Sequence, residues 1–425
     1  MNRFTRALTR HPMIEAYLSL KGNARVSINT EPLIGIPGTL YSPFVALYMY
    51  AIGLDYAQIG LIVSVTMVCQ VVTSFISGIL VDKLGRRYGL LVAGILCWIV
   101  PTLLWAFAQS FTWFLIAAIF NSFNQMLYTA FILLIGEDTE PDKLVHFYSW
   151  LMIAGFFAVL FSPLSALMVG SWGLVAAVRA LYLFAFVCVT LKFILVHIFS
   201  HETEQGKKRK EELRGKPIFS FLRGYGPVIR KLLRTPRTLF ILCLMVLSNI
   251  AATVSGAYGA IFATQRLGMP EEWFAYLPMV SSLMTVLFIF TIQHRITRTH
   301  YRLPMLIALG LWVTGISLLL SGVYIGLVGF FANIVCATFA NAIFMPLRES
   351  LVVRFIDPEE RARITSMLMT TTLLIAAPFG YIGGLLFRTD NMFPFLASIC
   401  LYVVAALVLI FVRPEKMEAD AQTAR

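Results

Sequence analysis

Residues 78–88 read GILVDKLGRRY. The run before them, Leu61 to Ser77, carries no charge. Asp82, Lys83, Arg86 and Arg87 then arrive together, with glycines at Gly78 and Gly85. A dense charge cluster directly after a long apolar run marks a point where the chain leaves a low-dielectric layer for water.

The rest of the chain agrees. Of its 425 residues 59% are hydrophobic and 13% are charged, against about 45–50% and about 25% in a soluble domain. A stretch of about 20 apolar residues crosses a bilayer as a helix, which satisfies its own backbone hydrogen bonds. Such stretches fall at 32–52, 57–81, 89–108, 112–136, 147–170, 174–198, 238–264, 273–293, 303–322, 324–347, 365–387 and 393–413. The composition predicts an all-α polytopic membrane protein.

The net charge of +12 would suit a nucleic-acid binder, but its placement does not. With both termini cytoplasmic, all but four of the 34 Lys and Arg fall in cytoplasmic segments. The exceptions are Arg266 and Arg388 in outer loops and Arg179 and Lys192 inside the sixth span. That asymmetry is the positive-inside rule, and the basic excess faces anionic lipid headgroups. Membrane lipids are therefore the expected partners of these charges, and nucleic acid is not.

Each of the six cysteines, Cys69, Cys97, Cys188, Cys243, Cys336 and Cys400, sits inside a predicted span without metal-ligand spacing. His197 and His201 lie one helical turn apart with no third ligand nearby, which reads as interfacial side chains. No metal or cofactor is expected. The first 25 residues are basic and lack an unbroken apolar core, so no cleavable signal peptide is expected. Phe4, Leu8, Met13, Ile14, Tyr17 and Leu18 suit one side of a helix lying on the inner leaflet.

The chain divides into a cytoplasmic segment 1–31, a six-helix bundle 32–198, a basic linker 199–237, a second six-helix bundle 238–413 and a tail 414–425. EPDKLVHFYSWLM at 140–152 and DPEERARITSMLM at 357–369 align at an offset of 217, pairing Pro141 with Pro358 and Ser149 with Ser366. Both lie between the fourth and fifth spans of their half, as two parallel repeats require.

Gly78, Asp82, Lys83, Gly85, Arg86 and Arg87 match the G-x-x-x-D-[RK]-x-G-R-R signature of the major facilitator superfamily, between the second and third spans as there. The chain resembles that superfamily over nearly its whole length. The resemblance implies twelve helices in two pseudo-symmetric six-helix bundles. It also implies a monomeric secondary transporter that works by alternating access and is not an enzyme. In the family the aspartate pairs with the N-terminus of span eleven, here near Ile364, Thr365 and Ser366, and the arginines pair with nearby acids. The cluster then reads as a latch between the halves. Gly78 would let spans two and eleven approach, and Gly85 would allow a tight turn. The plainer alternative is an orientation signal. QHRITRTHYR at 293–302 has neither acid nor glycine, so one latch is expected.

In the superfamily spans one, four, seven and ten line the path. Span four carries Asn121, Asn124, Gln125 and Tyr128 at spacings that share one helical face. Span ten offers Asn333, Thr338, Asn341 and Arg348, span one Tyr41, Ser42 and Tyr48, and span seven Ser248, Asn249 and Tyr258. Interhelical hydrogen bonding is the competing role for each. Amides, hydroxyls and rings suit a small neutral or amphipathic substrate. Mid-membrane carboxylates are absent from the pattern. Glu31, Glu137 and Glu349 lie near inner ends, so a proton site at Glu31 competes with helix-start stabilisation before Pro32, and a gate pair Arg348–Glu349 competes with a surface pair. Span five has Gly155, Pro163 and Gly170 and departs from the drug-antiporter pattern, while span eleven has Ala377, Pro378, Gly380, Gly383 and Gly384. Drug efflux remains an alternative, followed by a solute receptor and a polytopic enzyme. The composition suits a bacterial inner membrane.

Overall fold

The computed structural model describes residues 12–214, 235–292, 301–356 and 361–412. Residues 1–11 (with Phe4 and Leu8), most of QHRITRTHYR, the first four positions of the second repeat segment and the tail from 413 lie outside them. Among the described residues every regular element is helical.

Among the described residues twelve helices are long and apolar enough to cross a membrane. Spans one to six are Gly22–Ala51, Tyr56–Leu84, Arg86–Ala106, Phe111–Gly136, Asp142–Trp172 and Leu174–Phe199. Spans seven to twelve are Pro236–Leu267, Glu271–Thr291, Arg302–Ile325, Leu327–Val352, Ile364–Thr389 and Phe393–Phe411. All twelve expected stretches are present. Span one starts ten residues earlier than the hydropathy suggested. The helix Gly22–Thr30 is polar in sequence, yet Ala24 and Ile28 pack with Leu20, Ile135 and Phe147. Its Asn23 is buried and exchanges two hydrogen bonds with the His201 backbone, at 3.0 and 2.9 Å. Those bonds satisfy the amide, so a polar turn can extend an apolar span.

The chain packs as two compact units, Met1–Val45 with Val72–Phe221, and Ala46–Val71 with Leu222–Arg425. In the first, Val81, Leu90, Met126, Leu134, Val189 and Phe193 form a core shared by spans two, three, four and six. Span three contains a π-helical turn, Ile95–Ile99, before Pro101. Proline has no amide to offer the Cys97 carbonyl four residues back. The Asn121 side chain of span four supplies that donor instead, at 2.8 Å.

In the second unit the start of span two belongs with spans seven and eleven rather than with the rest of its own half. The cause is a set of glycines. A β-carbon on Gly60 would overlap the Gly380 carbonyl, and one on Gly384 would lie 2.8 Å from Ala57 Cα. The Ser64 hydroxyl accepts a hydrogen bond from the Tyr381 amide at 2.8 Å. Lipid provides no hydrophobic drive between helices, so close backbone approach of this kind supplies the packing energy. Aromatic rings finish the seam. Tyr50 stacks on Tyr56 (5.4 Å), Tyr56 meets Phe387 edge-on (4.7 Å), and Phe387 stacks on Tyr258 (4.9 Å).

Candidate functional site

Two regions gather the chemistry in the first unit. One is the signature loop. Span two ends at Leu84, and Gly85 turns the chain with φ +88°, a left-handed conformation that only glycine adopts at low cost. A β-carbon there would also meet the Glu202 carboxylate. Glu202 comes from the linker and accepts hydrogen bonds from the Arg86 amide (2.8 Å) and the Arg87 amide (3.1 Å). It thus satisfies two of the free donors at the start of span three and meets the positive end of the helix dipole.

The Arg86 side chain is buried, with 3% exposed. Its guanidinium binds Glu137 at the end of span four at 2.9 Å, and it also holds Asp82 one turn back. Thr203 donates to the same Glu137 at 2.5 Å. Arg87 donates through Nε to the His197 carbonyl at 2.7 Å. Buried arginine needs such pairing, because an uncompensated charge in this layer is expensive. Lys83 is half-buried beside this cluster. Asp82 therefore spends a carboxylate oxygen on Arg86 inside its own unit. No atom of the described residues lies within 4 Å of a β-carbon placed on Gly78. Within the second unit, spans two and eleven approach closely at Gly60 and Gly380. Gly78 sits near the end of span two, while Gly60 lies one turn from its start.

The other region is the span-four stripe, which the structure shortens. Span four breaks at Ser122 and Phe123, between helical segments Phe111–Asn121 and Asn124–Gly136. The break ends the regular spacing that put Asn121 on the stripe, and the Asn121 amide faces span three. Asn124, Gln125 and Tyr128 remain on one segment, with Tyr128 63% exposed. On span one Ser42 is exposed, whereas Tyr41 is buried against the Tyr182 ring at 4.7 Å. Tyr41 is thus a packing residue of spans one and six. Glu31 binds Lys192 of span six at 2.7 Å. A lone lysine within a span calls for a counter-ion, and Glu31 was the acid at matching depth, so sequence alone contained the clue. Arg179 donates to the Ala108 carbonyl just past span three.

In the second unit Tyr258 is fully buried in the aromatic seam, and its hydroxyl donates to the Tyr56 carbonyl at 3.2 Å. Asn333 lies against span nine, where a β-carbon on Gly315 would come within 3.0 Å of its Oδ1. Tyr258 therefore belongs to no open face, whereas Asn333 is half-buried. Asn341 is exposed and caps the Ala337 carbonyl of its own helix at 2.8 Å. Thr338 is buried one turn away. Arg348 and Glu349 pair with each other at 2.6 Å. On span seven Ser248 and Ser255 bond to their own helix, but the buried Oδ1 of Asn249 has no hydrogen-bond partner among the described residues. Trp273, Tyr276, Val280 and Met284 of span eight and Phe331 and Val335 of span ten line a partly open, nearly apolar hollow of about 160 Å³, and most of these side chains are exposed. Among the described residues no group of three or more His, Cys, Asp and Glu could hold a metal.

Twelve membrane helices and a charge-knit loop after the second define a polytopic carrier fold. The sequence model of the Major Facilitator Superfamily matches residues 33–310, and the chain belongs to that family. Among solved structures the nucleoside transporter NupG superposes with a TM-score of 0.69 at 15% identity, covering 92% of this chain and 98% of that one. The E. coli xylose transporter XylE in an inward-open conformation gives 0.67 at 16% identity, covering 93% and 98%. A D-xylose–proton symporter gives 0.66 at 16%, covering 91% and 96%. No curated protein sequence matches the chain. These likenesses are of fold.

Proposed function

We propose that the protein is a secondary transporter for a small neutral or amphipathic organic solute, working by alternating access. The observation that carries this reading is the closed seam in the second unit, where Gly60, Ser64 and Tyr56 meet Gly380, Tyr381 and Phe387. Helices packed backbone to backbone on one side present a contact that must part for that side to open. With the signature loop cytoplasmic, as the basic residues favour, the seam is the outer closure. Asn124, Gln125 and Tyr128 are the candidate solute contacts of the first unit; the second, taken by itself, offers Asn249 and Asn341. Their amides and ring carry no net charge, and the unpartnered Oδ1 of Asn249 awaits a donor such as a solute hydroxyl. The nucleoside and xylose specificities of NupG and XylE make nucleosides and pentoses the first solutes to try. Cytoplasmic termini, a bacterial inner membrane and a monomeric unit complete the reading.

Purified protein in liposomes should exchange a radiolabelled nucleoside or pentose in counterflow, with Asn249→Ala weakening half-saturation about tenfold, as for a lost buried hydrogen bond of about 1.4 kcal/mol. Saturable binding of such a solute without flux would instead indicate a receptor. The apolar cavity beside Trp273 favours a second reading, an amphipathic-drug carrier. Competition of a hydrophobic cation with the sugar or nucleoside separates the two.

A further inference from the structure

Span one is interrupted along its length, and its irregularities are ordered. Pro32, Pro37 and Pro43 each remove a backbone donor. At Pro43 the α-helix gives way to a 3₁₀ turn, Ser42–Phe44, before it resumes at Val45. A short 3₁₀ insert within a helix is a common form of hinge. The division into compact units falls at Val45 and Ala46, directly after that turn.

The segments on either side are held by different neighbours. Before the turn, Glu31 binds Lys192 at 2.7 Å, with the lysine side chain 9% exposed. Thr39 donates to the Ala158 carbonyl of span five at 3.1 Å. Tyr41 packs on Tyr182. After the turn, Tyr50 joins the seam through Tyr56.

We propose that span one is a two-part lever whose inner arm, Gly22 to Tyr41, is pinned by Lys192, and whose outer arm, Val45 to Ala51, closes and opens with the seam about Pro43. Lys192 is a positioning residue for that motion. The proposal rests on the alternating-access reading. A pinned inner arm lets motion of spans five and six reach the hinge, so cutting the pin leaves the outer arm seated and the seam closed. Stiffening the hinge acts oppositely, because the closed seam is the state that carries the bend.

The test uses the full chain without its native cysteines, in liposomes, with Asn249→Cys as reporter. Labelling by a membrane-impermeant maleimide from the seam side reads how often the seam opens. Lys192→Met should slow labelling at least fivefold, and Lys192→Arg should stay within twofold of the parent. The charge swap Glu31→Lys with Lys192→Glu should restore the rate to within threefold. Pro43→Ala, which returns the missing donor to the Thr39 carbonyl, should speed labelling at least threefold. A purely structural role for the pair predicts that Lys192→Met lowers thermal stability without changing labelling, and that result overturns the lever. So does Pro43→Ala at the parent rate, which covers the case in which Lys192→Met does not fold. Absence of seam-side labelling in the parent would instead refute alternating access itself.

Discussion

Gly380→Ala is the sharpest probe of the seam. An added β-carbon would stand 2.9 Å from the Gly60 carbonyl oxygen, 2.8 Å from Ser64 Oγ and 3.0 Å from Ser64 N. Ordinary contact begins at 3.4 Å, so spans two and eleven must part by about half an ångström. Two of the three atoms are backbone and cannot rotate away. Overpacking of this kind costs about 1–3 kcal/mol, and it falls on the closed state alone, since an open seam has no neighbour to strike. Taking about 2 kcal/mol, the ratio of open to closed rises about thirtyfold at 1.4 kcal/mol per decade. Maleimide labelling of Asn249→Cys from the seam side measures that ratio. Gly78→Ala is the matched control, because its β-carbon meets no described atom within 4 Å. A thirtyfold rise for position 380 beside an unchanged rate for position 78 is expected. Equal effects at both positions, or none at 380, would falsify the assignment of the seam as a gate.

Further substitutions read local chemistry. Asn121→Ala removes the side-chain donor to the Cys97 carbonyl inside a dry bundle, so stability should fall by about 1–3 kcal/mol, seen as a lower thermal midpoint. Asn124→Ala, on the open stripe, should leave the midpoint in place and alter solute affinity instead. Gly85→Ala combines a left-handed backbone with a collision against Glu202, so it should destabilise the loop by about 1–3 kcal/mol. Glu202→Ala in the same chain should recover part of that loss if the collision matters. Additive losses would mean that backbone strain acts alone.

Much of the architecture is legible in the sequence. Twelve apolar stretches, the placement of the arginines and lysines and the loop signature all reflect one solvent boundary, and hydropathy reports that boundary directly. The candidate site was legible only in part, because which side of a helix faces a neighbour depends on breaks that composition does not show. Asn121 looked like a member of the stripe until the Ser122–Phe123 break and the missing donor of Pro101 turned it toward span three. Tyr41 and Tyr258 looked like lining residues because a tyrosine carries a polar tip, yet their rings are packed. Glu202 went unnoticed because a single acid beyond a span end has no periodicity to announce it. Gly78 and Gly60 are alike to a reader of sequence, and only packing shows which one has a backbone against it.

The bond between Asn121 and the Cys97 carbonyl has an implication for descent. It exists because Pro101 withholds a proton that nearly every other residue type would provide. Among relatives of this chain, loss of the proline should remove the demand on the amide, and the two positions should drift together. An asparagine at 121 beside a non-proline at 101 would then mark a lineage in which that amide had taken on a different task.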